Sequence, residues 1–329
     1  MTKLNKKVVL FLRNSSDGFS IEGVFTRLFG KTNNPKLIKP KFKSHGFFNR
    51  ILIIAESFFR SSNINHVTGD INFIIPFLRG KKIITIHDIG ILYDLKGIKK
   101  NIYSFFWFYL PIKFSNIITV VSNETKKELL KKFNIKESKI KVIYNPLLFS
   151  NSKVKNNFKI NDIPKILIMG TKENKNLKNI VLAIKGLNVR LNIIGQLSSA
   201  QKKILKNNNI KYDNSYNLNY RELEINYLNS DFLLFPSTYE GFGLPIIEAQ
   251  SCGLPIITSN TSSMPEIGGL DGALYIDPYN PSDIRRGILK LINNENLRNN
   301  FSVNGLNNIK RFDVEKIKLK YMSLYSSII

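Results

Sequence analysis

Along nearly the whole of this 329-residue chain, short β-branched apolar runs alternate with amphipathic stretches. That alternation argues for parallel α/β architecture. In the first half the expected strands are 7–12, the stretch before His66, 83–87, 117–121 and 140–144. Turn-forming residues follow several of them, as at Asn14–Gly18, Thr68–Asp70 and Asn145–Pro146. Helical periodicity is clearest over 123–133, with Ser122 as its N-cap. Residues 147–164 lose the pattern and fill with Asn, Ser and Lys, which marks a linker. A second series then begins, with strands expected at 166–170, 191–195, 232–236, 255–258 and 273–276. Its helices are expected at 176–187, 199–207, 245–251, 281–293 and 296–309. The expectation is two Rossmann-like, doubly wound α/β domains, residues 1–150 and 151–310, with an amphipathic C-terminal helix in 311–329 packing back on the first. Ligands of such sheets bind beyond the carboxyl ends of the strands, here in the cleft between the domains.

Composition narrows the setting. A single cysteine, Cys252, forms no intramolecular disulfide, which suits a reducing cytosol. The apolar run 8–12 is too short for a signal peptide, and no stretch reaches the ~20 apolar residues a spanning helix needs. The expectation is a cytoplasmic protein, soluble or peripheral at the inner face of the membrane. Net charge is +25 and unevenly spread: residues 1–150 hold 26 Lys and Arg against 9 Asp and Glu, residues 151–329 hold 23 against 15. No acid occurs between Gly23 and Ala55, where Arg27, Lys31, Lys36, Lys39, Lys41, Lys43 and Arg50 fall, interleaved with or followed by five phenylalanines. Bases with aromatics suit an anionic membrane surface. The other reading is compositional drift, since the whole chain is rich in Lys, Asn and Ile. Nucleic acid is not expected as a partner, because no zinc-finger spacing or RNA-recognition signature accompanies the charge.

The chemistry concentrates in Glu240-Gly-Phe-Gly-Leu-Pro-Ile-Ile-Glu248, which follows the apolar run Phe232-Leu-Leu-Phe-Pro-Ser-Thr238. Gly241 and Gly243 allow a tight turn and close approach to a ligand. Pro245 suits the first turn of a helix. The amides of Phe242, Gly243 and Leu244 are then helix-start donors, an anion seat. One carboxylate stands before the helix and one about a turn inside it. A ligand with phosphate in the middle and hydroxyl groups at both ends has the matching shape, as a sugar nucleotide does.

The stretch from Glu240 to Thr258, with Ser262-Ser-Met-Pro-Glu266, Gly268 and Asp277-Pro278, resembles the EX7E signature of the retaining glycosyltransferases of family 4, the group 1 glycosyl transferases. The resemblance implies the GT-B fold and a nucleotide-diphospho-sugar donor, UDP- or GDP-linked. It places Glu248 on the ribose hydroxyls and Glu240 beside the donor sugar, as a catalytic residue supporting the oxocarbenium-like transition state. A second donor element is Met169-Gly170-Thr171-Lys172-Glu-Asn-Lys175, at a strand exit opening a helix. In the family this place carries a basic pair on the pyrophosphate. Lys175 matches the second basic position, while Thr171 stands where the first is usually arginine and Lys172 is the substitute.

His87, at a strand's carboxyl end beside Asp88-Ile-Gly90, is by resemblance a second catalytic residue near sugar and acceptor; a buried, backbone-satisfied histidine is the alternative. Asp88 and His66 are acceptor-side candidates, with turn capping and a structural role as their respective alternatives. Gly18, after the first strand, resembles the glycine loop that closes over donor phosphates. The absence of any Asp-x-Asp triplet removes the usual carboxylate pair for Mg²⁺ or Mn²⁺. Neither a metal nor another cofactor is therefore expected, and lysines and helix-start amides meet the charge of the leaving diphosphate. The reading is a retaining hexosyltransferase acting on a glycan or lipid-linked acceptor in bacterial surface polysaccharide assembly. A GT-B phosphorylase or epimerase and a basic nucleic-acid-binding module are the competing readings.

Overall fold

In the computed structural model, residues 6–14, 20–149, 153–155 and 159–328 are described. The chain divides into two compact units, Met1–Leu148 with Phe312–Ile329, and Phe149–Arg311. Each is built on its own six-stranded parallel sheet.

In the first unit the strands are β1 (Val8–Phe11), β2 (Lys36–Ile38), β3 (Ile64–Val67), β4 (Lys81–Ile86), β5 (Ile117–Val120) and β6 (Ile140–Val142). Their order is β2-β1-β3-β4-β5-β6. All four residues of β1 and of β3 are buried, as a parallel sheet covered on both faces requires. The chain moves outward from β1 to β2 and returns to β3 on the other side. The carboxyl ends of β1 and β3 therefore flank the point where strand order reverses, the usual place for a ligand. The C-terminal helix Val314–Ser327 packs on the helix Ser20–Phe29, with Tyr321 and Tyr325 set against the rings of Phe25 and Phe29.

His66 corrects an expectation. It lies within β3 rather than after a strand, and its side chain is fully buried. Nδ1 is 2.8 Å from the Tyr325 hydroxyl and Nε2 is 2.7 Å from the Thr85 hydroxyl. Both ring nitrogens are thus used inside the core, so His66 ties the terminal helix to the sheet and lines no acceptor surface. Burial, with the nearby His87, lowers its pKa from 6.5 to about 3. A histidine held neutral in the fold but protonated once unfolded contributes stability at pH above ~6.5, lost progressively as pH falls towards ~3. Acid denaturation should therefore show a slope approaching ~1.4 kcal/mol per pH unit from this group in that window, and His66→Gln should remove it. Chemical denaturation of both proteins at a series of pH values measures the difference.

In the second unit the strands are β7 (Lys165–Met169), β8 (Arg190–Ile194), β9 (Lys211–Ser215), β10 (Phe232–Phe235), β11 (Ile256–Ser259) and β12 (Leu274–Ile276). The order β12-β11-β10-β7-β8-β9 is that of a doubly wound dinucleotide-binding sheet. Its reversal point lies between β7 and β10. Two strands, β2 and β9, lie outside the strands expected from sequence. Both are edge strands with exposed or half-exposed polar residues, and an edge need not carry a continuous apolar run. The helix Tyr220–Leu228 also lacks a strong apolar period; it is opened instead by a capping box between Asn219 and Glu222.

Candidate active site

The loops that leave β7 and β10 meet at the reversal point of the second sheet. Gly170 follows β7 with φ 86°, and a Cβ there would sit 2.9 Å from Cε of Lys175. Glycine is thus needed both for the turn and for the lysine to fold back across it. Asn176, itself left-handed at φ 65°, donates to the carbonyls of Pro236 (3.1 Å) and Pro278 (2.6 Å). The Thr238 amide donates to the Asn174 carbonyl at 2.9 Å. These bonds fix the two exits against each other.

Lys175 and Glu240 meet at that junction. The Lys175 ammonium lies 2.5 Å from Glu240 Oε1 and 4.6 Å from the centre of the Phe235 ring. Asn174 Nδ2 donates to the same carboxylate oxygen at 3.1 Å and to the Tyr239 carbonyl at 2.9 Å. Both side chains of the ion pair are 16% exposed, so the pair is largely sheltered yet open to a ligand. Behind it, Ser262 and Ser263 donate to the Glu240 carbonyl at 2.7 and 2.8 Å, and Ser263 also to that of Phe242. The turn is therefore held through its backbone, leaving the Glu240 carboxylate to the side-chain contacts.

The helix Leu244–Ser251 then starts at Gly243, whose φ of 97° is the left-handed conformation a glycine supplies; Gly241 is not among the glycines with positive φ. Pro245 lies in the first turn, and Phe242 is buried beneath it. Glu248 is buried at 5% exposure, and its Oε2 accepts a 2.7 Å hydrogen bond from the Tyr227 hydroxyl. No hydrogen-bond partner of Oε1 is found among the described residues. Burial raises the Glu248 pKa to about 7, against the smaller opposing effects of the Tyr227 hydrogen bond and the Lys175 charge. The Tyr227 hydroxyl, pushed well above its usual range by burial and by Glu248, remains a donor.

Other expected donor residues fall around this centre. Lys172 is exposed, and its carbonyl accepts from the Lys175 amide at 2.9 Å. The Thr171 hydroxyl turns to the Gln196 carbonyl at 2.7 Å, while its own carbonyl accepts from Gln201. Of the three, Lys175 alone is drawn to the carboxylate of Glu240. Asn174, Tyr227, Ser262 and Ser263 complete the site and were not singled out as site residues from sequence. Tyr227 comes from the helix that lacks a strong apolar period, while Asn174 sits inside the loop between the expected residues. Gly18 lies outside the described residues.

In the first unit, His87 follows β4 and is half-buried. Its Nε2 lies 2.7 Å from the Thr68 carbonyl, which can only accept, so Nε2 carries the proton and Nδ1 presents a lone pair. Burial lowers its pKa, against the opposing Thr68 hydrogen bond and the charges of Asp70 and Asp88. Asp88 closes the following turn, accepting from the Gly90 amide at 2.8 Å. At the ends of β1 and β3, Arg13 bridges Glu22 and Asp70. Among the described residues no group of three or more His, Cys, Asp or Glu side chains is placed to share a metal ion.

Two family profiles match the chain, Glycosyltransferase Family 4 over residues 6–147 and Glycosyl transferases group 1 over residues 150–308. Among curated proteins, the chain is 39% identical over 92 residues to O-antigen chain mannosyltransferase B of Escherichia coli, which covers 28% of this chain and only 24% of that protein's length. It is 28% identical over 256 residues to O-antigen chain mannosyltransferase RfbU of Salmonella typhimurium, covering 74% of this chain and 69% of that one. Among solved structures, Anabaena Alr3699/HepE in complex with UDP and glucose superposes with a TM-score of 0.76 at 13% identity, over 98% of this chain and 100% of the other. That likeness is one of fold.

Proposed function

We propose, for a chain that belongs to the group 1 glycosyl transferases of glycosyltransferase family 4 with the GT-B fold, that it transfers a hexose from a nucleotide-diphospho-sugar to a glycan or lipid-linked acceptor in surface polysaccharide assembly. The observation that carries this reading is the junction of β7 and β10. There one ammonium, one sheltered carboxylate and one deeply buried carboxylate line a helix start. Two of the curated relatives are O-antigen mannosyltransferases, and the HepE structure holds UDP and glucose, which supports such a donor.

Glu248 Oε1 accepts from the ribose hydroxyls, and the helix start faces the diphosphate. Lys175 moves from Glu240 towards the diphosphate and neutralises the charge that develops as the bond from the anomeric carbon to phosphate oxygen breaks. Glu240 then faces the sugar, where positive charge develops. Anomeric configuration is retained. The acceptor hydroxyl attacks from the face the diphosphate leaves, and its proton passes to a departing phosphate oxygen. Asn174, which stays on Glu240 Oε1 when Lys175 leaves, favours a carboxylate held as a charge partner over one that forms a glutamyl intermediate. His87, with its Nδ1 lone pair, is the acceptor-side group. The step is metal-independent, with Lys175 and amide donors in the place of a cation.

Thermal melting with UDP, GDP and their common sugar conjugates tests the donor half: a ligand at about 100 times its Kd should add roughly 2.7 kcal/mol of stability. Mass spectrometry of released nucleotide and extended acceptor in the presence of EDTA tests transfer and metal independence together. A chain that binds none of these nucleotides is not a glycosyltransferase of this kind.

A further inference from the structure

A surface helix normally turns its apolar face inward. The helix Phe47–Phe59 does the reverse. Phe47, Phe48, Ile51, Leu52, Phe58 and Phe59 are all exposed, with Phe48 at 79% and Phe59 at 77%. At 3.6 residues per turn these positions share one face about 140° wide. Only Ile53 and Ser57 are buried on the opposite side. Arg50 of this helix stacks on Trp107, 4.7 Å from its centre. Trp107 lies in a second helical run with its own outward apolar stripe: Ile98, Ile102, Phe105, Phe106 and Tyr109.

The charges of the segment that leads into this helix have one sign. Lys31, Lys36, Lys39, Lys41 and Lys43 are exposed in the segment that leads into it, and no acid occurs between Gly23 and Ala55. The helix's own acid, Glu56, lies off the apolar face, paired with Arg60 at 3.2 Å and accepting from the Lys41 amide at 2.9 Å. We propose that this aromatic face and its lysines form a docking surface for an anionic lipid bilayer. The helix lies in the plane of the interface, its phenylalanines at the acyl boundary and the lysines at the headgroups. No helix among the described residues is long and apolar enough to cross a membrane, so contact is in-plane.

Charge selects lipid over protein. Lysine is depleted at protein–protein interfaces, whereas basic residues beside aromatics suit anionic headgroups. A second copy meeting this face about a twofold axis would bring like-charged rims together. The surface is read from the helix and its charges, so it stands apart from the transferase reading.

Flotation of the full chain with phosphatidylcholine vesicles, with and without phosphatidylglycerol, tests it. The anionic vesicles should carry at least about fivefold more protein, and high salt should reduce the difference. Phe48→Glu with Phe59→Glu should lower the floated fraction about tenfold without moving the melting temperature, since both side chains are exposed. Lys39→Glu with Lys43→Glu should remove the preference for anionic lipid. Absence of flotation, equal flotation with neutral lipid, or a double Phe variant that floats like the parent overturns the proposal. So does a lipid-free dimer in sedimentation velocity that the double Phe variant dissociates, which would make the occupant a second copy.

Discussion

Glu240→Gln should lower the turnover of glycosyl transfer by about two to three orders of magnitude while changing the affinity for free nucleoside diphosphate less than about threefold. Glutamine keeps the shape and can accept from Asn174, so the turn held by Ser262 and Ser263 should survive. What disappears is negative charge facing a sugar that becomes cationic only in the transition state. A loss confined to that state appears in kcat and leaves ground-state binding nearly intact. Lys175→Ala should behave differently. It removes the cation proposed above to meet the diphosphate, and it leaves Glu240 without its ion-pair partner. Both nucleotide affinity and turnover should fall, each by roughly tenfold or more. Steady-state kinetics with calorimetric Kd values for the nucleotide separates the two. Equal loss of nucleotide affinity in Glu240→Gln and Lys175→Ala would remove the division of labour between them. A trapped glycosyl ester on Glu240 would replace same-face attack by a double displacement.

The alternation of apolar runs was enough to read two doubly wound sheets, because interior parallel strands must be apolar on both faces, as Val8–Phe11 and Phe232–Phe235 are. Edge strands escape that requirement, and Lys211–Ser215, paired on one side alone to β8, carries mostly polar side chains, of which Asp213 meets Arg190 and Asn214 donates to the Ile193 carbonyl. Within the candidate site, the turn and helix start that carry Glu240, Gly243 and Glu248 are legible because such a turn constrains residue type locally. Tyr227 was not. Its role depends on a helix that packs beneath residue 248 from 21 positions earlier, a contact that no local spacing encodes. His66 shows the opposite failure. Apolar residues before it suggested a strand end, yet Val67 continues the strand, and its partner Tyr325 lies 259 residues away. Polar residues in a parallel core are satisfied by distant partners, so a histidine's neighbours in sequence do not reveal whether it faces solvent or the interior.

Binding of nucleoside diphosphate should weaken as pH falls below about 7, by up to tenfold per unit, and the proton responsible should be that of Glu248. Burial lifts this carboxyl to about 7 in the unliganded chain, against ~4.3 for an exposed glutamate. Between those values the folded state holds a proton that the unfolded state has released. Stability from this group is therefore present at low pH, falls as pH rises towards about 7, and is level above it. The ionised carboxylate thus costs the unliganded fold on the order of 3 kcal/mol. Ribose hydroxyls that donate to Oε1 favour the charged form, so the complex has a lower pKa and binding below about pH 7 releases a proton. Calorimetry in two buffers of different ionisation enthalpy counts that proton directly. The phosphate of the ligand also titrates near this range, so the comparison needs a nucleoside diphosphate lacking both ribose hydroxyls, which keeps the phosphates and removes the partner of Glu248. That analogue should bind more weakly and lose the share of the pH slope due to Glu248. Glu248→Gln should show the same loss with the natural nucleotide. An unchanged slope with either would place the ribose elsewhere and leave Glu248 as a buried acid serving Tyr227 alone.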